Sequence, residues 1–287
     1  MSEKAIAKPS AFVRFFWLMQ RVTPAKSAFF KFFYNALMRR LPADEVTFLN
    51  YGYIDPSRKD AAAMSKDGDK EALQRGLYDR VLSNISLAGK DVLEVGCGRG
   101  GGAAYLASTR QPARIEGVDL SPEQVAFCQG RHRFENLSFG CANAIALPYP
   151  SDSFDVVLNV ESSHCYQSVQ DFYREAFRVL RSGGYFLYAD FNPYGSKDIP
   201  ENPIENLARR LKEEGFSLVE AVDITKGVLA ALDVADEEKR HLIERATTLS
   251  FMRKNLADFA ALRGSTVYDK FLTGESTYFA FVAQKPG

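Results

Sequence analysis

Short apolar runs and amphipathic stretches alternate from Glu71 onward. Asp91–Val95, Arg114–Asp119, Leu137–Cys141, Phe154–Val160, Tyr185–Ala189 and Ser217–Val222 each gather apolar or β-branched residues, as buried parallel strands do. Between them the apolar positions recur at helical spacing. Leu73, Leu77, Val81 and Leu82 share one face of a helix predicted over Glu71–Ile85, and Val169, Phe172, Tyr173, Ala176 and Leu180 mark another over Val169–Leu180. Ser121-Pro122-Glu123 reads as a helix start, with Ser as N-cap and Pro at the first position. Ser182-Gly183-Gly184 is predicted to end the helix before Tyr185, and Gly215 to end one over Pro203–Glu214. Alternation of this kind predicts an α/β fold: a Rossmann-like, seven-stranded, mostly parallel sheet with helices on both faces. Residues 71–223 form its core. The pattern turns helical and charged over 224–265, which reads as a cap insertion. Thr277–Gln284 alternates again, so 266–287 is expected to supply the last strand.

The first 70 residues differ. Phe12, Phe15, Phe16, Trp17, Phe29, Phe30, Phe32, Phe33 and Tyr34 crowd the leader among Arg14, Arg21, Lys26, Lys31, Arg39 and Arg40. Thr23-Pro24 divides two expected helices. The leader is read as an aromatic helical lid that packs on the core, covers an apolar pocket, or touches a membrane surface transiently. The short aromatic segment Phe48-Leu49-Asn50-Tyr51-Gly52-Tyr53 follows it.

Composition narrows the class. The 287 residues carry 36 acidic and 36 basic side chains. No overall basic field exists to draw nucleic acid, so none is expected as a partner. Hydrophobic residues make up 46% of the chain, enough for a sizeable core. Cys97, Cys128, Cys141 and Cys165 show no metal-type spacing. They read as reduced thiols of a cytoplasmic protein. No apolar run is long enough to span a bilayer, and no secretory signal is visible. Oligomeric state leaves no trace in the pattern.

The chemistry concentrates in Asp91-Val92-Leu93-Glu94-Val95-Gly96-Cys97-Gly98-Arg99-Gly100-Gly101-Gly102. An apolar run ends in an acid, glycines follow at alternate positions, and a helix-like segment begins at Ala103. Such a turn lets backbone approach a nucleotide and offers free N–H groups at a helix start. Gly96, Gly98 and Gly101 satisfy the spacing of a dinucleotide loop. S-Adenosylmethionine fits as well, and Glu94 favours it: a carboxylate there repels a pyrophosphate but can help hold an ammonium. Asp119 closes the next strand, about 20 positions on, where an acid can accept from ribose hydroxyls. Leu120 is placed to pack on adenine. Asn143, beside Ala144 at the following strand end, can accept from its amino group.

Glu94-x-Gly96-Cys97-Gly98-x-Gly100, Val118-Asp119-Leu120-Ser121, Asn143-Ala144-x-x-Leu147-Pro148 and Phe154-Asp155-Val156-Val157 follow one another at spacings that resemble the motifs of class I S-adenosylmethionine-dependent methyltransferases. The resemblance covers residues 70–222. Asn143 stands where most members have Asp. Asn159-Val160-Glu161-Ser162-Ser163-His164-Cys165-Tyr166 is similar to the segment after the fourth strand in small-molecule O-methyltransferases. A narrower likeness is to the phthiotriol/phenolphthiotriol dimycocerosate methyltransferases, which share the Phe48–Tyr53 pattern, Arg131-His132-Arg133, Gly183-Gly184-Tyr185-Phe186 and Tyr188-Ala189-Asp190. The likeness resumes over Tyr268–Lys285.

The resemblance implies a methyltransferase that uses S-adenosylmethionine, releases S-adenosylhomocysteine, and methylates a hydroxyl of a bulky apolar molecule such as a polyketide or lipid. Its cofactor contacts are expected at Tyr51, Tyr53, Gln74, Glu94, Gly96, Cys97, Gly98, Gly100, Asp119, Leu120, Asn143, Ala144 and Asn159. Tyr51 and Tyr53 would cover the methionine end, since aromatic faces attract cations. Of three histidines, His164 alone follows a strand end beside the expected methyl group. It is assigned as general base, a task that suits an imidazole at neutral pH, with Glu161 to orient its ring or touch the acceptor. His132 and His241 read as solvated. His164 with Glu161 lacks a metal-ligand set, so no metal is expected. C- or N-methylation of an isoprenoid or amine is the rival reading. Glu94 argues against a nicotinamide oxidoreductase, and a non-catalytic nucleotide binder is a further alternative.

Overall fold

Alternate residues of each apolar run go to opposite faces of one sheet; both faces are covered over the central strands, while the edge runs Leu137–Cys141 and Ser217–Asp223 stay partly exposed. The computed structural model describes residues 46–57, 69, 71–192 and 202–287, with 14, 18, 28–32, 35 and 36 of the leader. Its elements run α1 (Ala72–Leu82), β1 (Asp91–Val95), α2 (Gly101–Thr109), β2 (Arg114–Asp119), α3 (Pro122–Arg131), β3 (Leu137–Cys141), β4 (Phe154–Val160), α4 (Val169–Val179), β5 (Leu180–Phe191), α5 (Pro203–Glu213), β6 (Ser217–Asp223), α6 (Thr225–Ala246), α7 (Ser250–Phe259), α8 (Thr266–Thr273) and β7 (Tyr278–Gln284). A single 3-10 turn, Ser163–Cys165, lies between β4 and α4.

The sheet order is β3-β2-β1-β4-β5-β7-β6. The first five strands are parallel, and β7 runs antiparallel between β5 and β6. Strand order reverses between β1 and β4. The loops leaving their carboxyl ends therefore diverge and open a crevice, the usual ligand position in open α/β sheets.

One core layer joins Val92, Ile115, Val156, Leu187 and Ala280 to the apolar faces of α1, α2 and α6. The other joins Leu93, Val118, Val157, Phe186 and Phe281 to α4 and α5. The neighbours Val92/Leu93, Val156/Val157 and Phe186/Leu187 thus split between layers, as a period of two requires. Ser121 caps α3 as its sequence predicts: its Oγ accepts from the Gln124 N–H at 3.3 Å. Phe186 is fully buried and stacks on Tyr188 and Phe216. Phe186→Ala is expected to lower unfolding free energy by about 3–5 kcal/mol. Urea denaturation checks this; a change under 1 kcal/mol would contradict the assignment of the layer.

Three features depart from the pattern. α4 ends at Val179, and Leu180 opens β5 directly. Gly183, at φ +79°, lies in an irregularity within that strand rather than in a helix-ending turn. A helix, α8, precedes β7 in a stretch expected to hold only the last strand. Most of the leader lid lies outside the described residues. Within them, Phe30 is buried, and the Asn35 Nδ2 donates to Glu123 Oε2 at 3.0 Å at the start of α3. Among the described residues no helix is long and apolar enough to cross a membrane.

Candidate active site

The crevice collects the turn after β1, the ends of β2 and β3, and the segment after β4. Gly96, Cys97 and Gly98 form one wall, Asp119 and Leu120 the next, Ala142, Asn143 and Ala144 a third, and Glu161 the fourth. Phe30 of the leader and Phe48 lie over it. It encloses about 1080 Å³, its open mouth included.

The turn is pinned by backbone bonds. Gly96 and Cys97 N–H groups donate to the Val118 carbonyl at 2.8 and 3.0 Å. The Gly98 N–H donates to Asp119 Oδ2 at 3.0 Å, and the Ser121 N–H to its Oδ1 at 2.9 Å. Asp119 therefore shapes the crevice as well as lining it, and each oxygen keeps a lone pair for a ligand hydroxyl. Burial raises its pKa. Gly96 has φ +75°, and a Cβ there would meet Ser162 Oγ at 2.3 Å and Tyr166 OH at 2.5 Å. Glycine at this position is required by the protein's own packing, in addition to any ligand. Gly100 does not line the crevice; it is the left-handed N-cap of α2, pressed against Phe139 and Cys128.

Glu94 lies one layer behind the wall. Its Oε1 accepts from Tyr78 OH at 2.6 Å, and Tyr78 itself lines the crevice. Glu94 Oε2 is buried without a close hydrogen-bond partner among the described residues, and the Ala103 N–H lies near enough to favour the ionised carboxyl. Burial raises the carboxyl to about 7.

After β4 the chain makes a strained turn. Glu161 has φ +53°, costly for a residue with a side chain. The Glu161 N–H donates to the Ala189 carbonyl at 2.8 Å. Its Oε2 accepts from the Tyr51 N–H at 2.9 Å and from Tyr278 OH at 2.7 Å, which leaves Oε1 for the crevice. Burial raises this carboxyl to about 7.

His164 is 7% exposed. Its Nδ1 donates to Asp190 Oδ1 at 2.8 Å. The ring packs on Phe191 at 4.7 Å between centroids. Burial works to lower the imidazole pKa, but the adjacent Cys165 and Asp190 raise it well above 6.5. Burial likewise works to raise Asp190, and His164 overrides it, so that carboxyl is lowered. The expected orienting acid was Glu161; the acid that binds the ring is Asp190, at the end of β5.

Eight of the expected site residues therefore line one crevice: Gly96, Cys97, Gly98, Asp119, Leu120, Asn143, Ala144 and Glu161. His164, the expected base, lines neither this crevice nor the second cavity and lies just behind Glu161 and Cys165. Asn159 is fully buried outside it, its Nδ2 within 2.8 Å of Val95 O, Ser162 Oγ and Tyr166 OH. It latches β1 to the loop after β4. Tyr51 and Gln74 line a second cavity instead. Tyr53 packs against Gly227 of α6. His132 is not solvated: its Nε2 lies 2.9 Å from the Arg99 carbonyl. His241 is exposed. Asp190 escaped the sequence reading although its signal was there, an acid closing a strand at the same sheet edge as Asp119. Tyr78 and Tyr278 carry no such signal. Among the described residues no cluster of three His, Cys, Asp or Glu could hold a metal ion.

The methyltransferase-domain family model matches residues 93–188. Phthiotriol/phenolphthiotriol dimycocerosates methyltransferase of Mycobacterium tuberculosis is 35% identical over 253 residues, 86% of this chain and 88% of that one. Fatty-acid O-methyltransferase of Mycolicibacterium smegmatis is 46% identical over 172 residues, 60% of this chain and 61% of that one. Among solved structures, geranyl diphosphate C-methyltransferase from Streptomyces coelicolor, in complex with S-adenosylhomocysteine, superposes with a TM-score of 0.61 at 18% identity, covering 85% of this chain and 94% of that one. This last likeness concerns the fold.

Proposed function

The chain belongs to the S-adenosylmethionine-dependent methyltransferases, in the family of the phthiotriol/phenolphthiotriol dimycocerosates methyltransferases, and on that footing we propose that it methylates a hydroxyl oxygen of a bulky, lipid-like molecule with His164 as general base. The names of the two curated relatives, a dimycocerosates and a fatty-acid methyltransferase, support a lipid-like acceptor.

The crevice has the donor set the cofactor needs. Leu120, Ala142 and Ala144 offer an apolar slot for a flat base, with Asn143 at its edge. Asp119 would take the ribose hydroxyls, and the Gly96–Gly98 turn the amino-acid tail. The unpartnered Oε2 of Glu94 would receive the ammonium through water, or through a shift of Tyr78. When bound, S-adenosylmethionine supplies an electrophilic methyl group. The reaction creates little new charge, so positioning by the chain dominates and can contribute on the order of 7–11 kcal/mol.

One observation carries the base assignment: the His164–Asp190 pair, in a segment whose neighbours Glu161 and Cys165 line the crevice. With Nδ1 held by Asp190, Nε2 is the nitrogen to take the acceptor's proton, and the Cys165 side chain, which also bonds the ring, must give way to the acceptor. Glu161 Oε1 accepts a hydrogen bond from the acceptor and keeps it beside the ring. C-methylation is the second reading. It draws on the aromatic group of Tyr51, Phe191 and Tyr278 around Glu161, whose faces would stabilise a carbocation.

A labelling assay with parallel acceptors separates these. The purified chain is incubated with methyl-labelled S-adenosylmethionine and, in separate tubes, 1,12-octadecanediol, octadecylamine and farnesol. Label is expected in the diol, as an ether. Label confined to the amine or to a carbon of farnesol would contradict hydroxyl methylation.

A further inference from the structure

The second cavity lies beside the crevice, and Phe48, Leu49 and Asn50 line both. It encloses about 1890 Å³, mouth included, between α6, α7 and the start of α1. Its walls are largely apolar, with Leu73, Val234, Ile243, Leu256 and Phe259 among them. Two polar side chains in it lack the partners their chemistry demands. Lys239 of α6 reaches inward over the Tyr51 ring, 5.6 Å from its centroid, and among the described residues its ammonium donates only to the Ala260 carbonyl, at 3.4 Å. No carboxylate forms an ion pair with it among the described residues. An ammonium has three hydrogens to place; Lys239 is half-buried, and the part of its charge shielded from water has no counterion. Burial lowers Lys239 to about 8. Gln74 is the second: its Oε1 is buried with no hydrogen-bond partner.

The nearby acids do not serve Lys239. Glu237 and Glu238 are exposed, and Asp236, which like Glu238 acts on Lys239 only through its field, is committed to Arg240 and the Arg263 N–H. Glu71 accepts from the Thr47 N–H and hydroxyl, and Asp69 pairs with Arg75. Glu161 acts on Lys239 only at a distance, and its own Oε2 is committed to Tyr51 and Tyr278. The Tyr51 and Phe191 rings, stacked 5.7 Å apart, intervene between Lys239 and His164. A group held by Lys239 is therefore several bonds away from an oxygen beside His164.

We propose that the second cavity takes the acceptor's apolar chain and that Lys239 pairs with a carboxylate on that chain, separate from the oxygen that is methylated. This rests on the reading of the site as a lipid methyltransferase. The ammonium selects long-chain acids over equally long neutral alcohols; Gln74 Oε1, an acceptor, would take a hydroxyl of the same ligand and does not contact the carboxylate.

Titration calorimetry on the enzyme saturated with S-adenosylhomocysteine tests this, with monomeric oleate and oleyl alcohol as probes. Oleate is expected to bind about 10–100-fold tighter than the alcohol, the range for a hydrogen bond to a charged group. Lys239→Met keeps the length and loses the charge; it is expected to bring the two affinities within about threefold of each other, with binding of S-adenosylhomocysteine unchanged as the sign of an intact fold. Equal binding of the two lipids to the parent chain, or an oleate preference that survives Lys239→Met, overturns the carboxylate anchor and leaves the acceptor cavity standing. No saturable binding of either lipid, with S-adenosylhomocysteine still bound, overturns both.

Discussion

Replacing His164 with alanine is expected to lower kcat by about 10²–10⁴-fold, the usual contribution of a positioned base, while S-adenosylhomocysteine binds as before. The variant should fold. Asp190 keeps three other donors when the imidazole is gone: Ser163 Oγ at 2.6 Å, the backbone N–H of residue 164 at 3.0 Å and the Phe191 N–H at 2.8 Å. Its carboxylate is not stranded, so the larger penalty of breaking a buried pair is avoided. Asp190→Asn supplies the companion test. His164 is raised well above 6.5 by its neighbours, and a base works only when deprotonated, so kcat should climb as pH passes through that raised value. Removing the carboxylate should move the climb to lower pH. Thermal stability carries the opposite sign. With His164 raised and Asp190 lowered, the pair contributes fully between about pH 3.9 and 6.5. Its contribution is lost above that window as His164 gives up its proton, and below it as Asp190 gains one. Turnover near that of the parent chain in a folded His164→Ala protein would remove the histidine from the chemistry.

Gly96→Ala is expected to cost about 2–5 kcal/mol of stability, from left-handed backbone strain and forced displacement of neighbours. S-Adenosylhomocysteine affinity should fall at least about tenfold, since 1.4 kcal/mol lost from the bound geometry suffices. The new methyl group would run into Ser162 Oγ and Tyr166 OH, both within 2.8 Å of Asn159 Nδ2. The substitution thus pushes the turn after β1 away from the loop after β4, and these are two walls of the crevice. Gly89→Ala is the control. Gly89 also has positive φ, at +68°, but nothing lies within 4 Å of its Cβ position. It should cost only the backbone strain, about 1–2 kcal/mol. Calorimetric melting of both variants reads the difference; equal losses would mean that crowding at Gly96 plays no part.

The sheet was legible because burial on both faces leaves a continuous apolar run, and Phe154–Val160 has no other economical reading. The crevice was legible because its walls are short segments at strand ends, each announced by an acid, a glycine or an amide: Glu94-x-Gly96, Asp119, Asn143. Partners that lie far apart in sequence were not. Asp190 finds His164 across 26 residues only because β5 pairs with β4 in a register that sets Ala189 beside Val160. Tyr278 reaches Glu161 from β7, 117 residues away. Tyr51 and Gln74 were expected as cofactor contacts from the resemblance, Tyr51 also because an aromatic face attracts a cation. Their positions on the second cavity depend on how α6 and α7 fold back over α1, and no local pattern encodes that. The glycines at 183 and 184 looked like a helix stop, because a strand that absorbs a glycine irregularity has the same local signature as a turn.

The account depends most on where the reactive sulfur would lie relative to His164. A crystal structure with S-adenosylhomocysteine measures this directly. Adenine is expected against Leu120, Asn143 and Ala144, and the amino-acid tail along Gly96–Gly98. The thioether should lie on the Glu161 side, with room for one acceptor oxygen between it and His164 Nε2. A nucleoside bound outside the crevice, or a sulfur separated from His164 by the Phe191 ring, would contradict it.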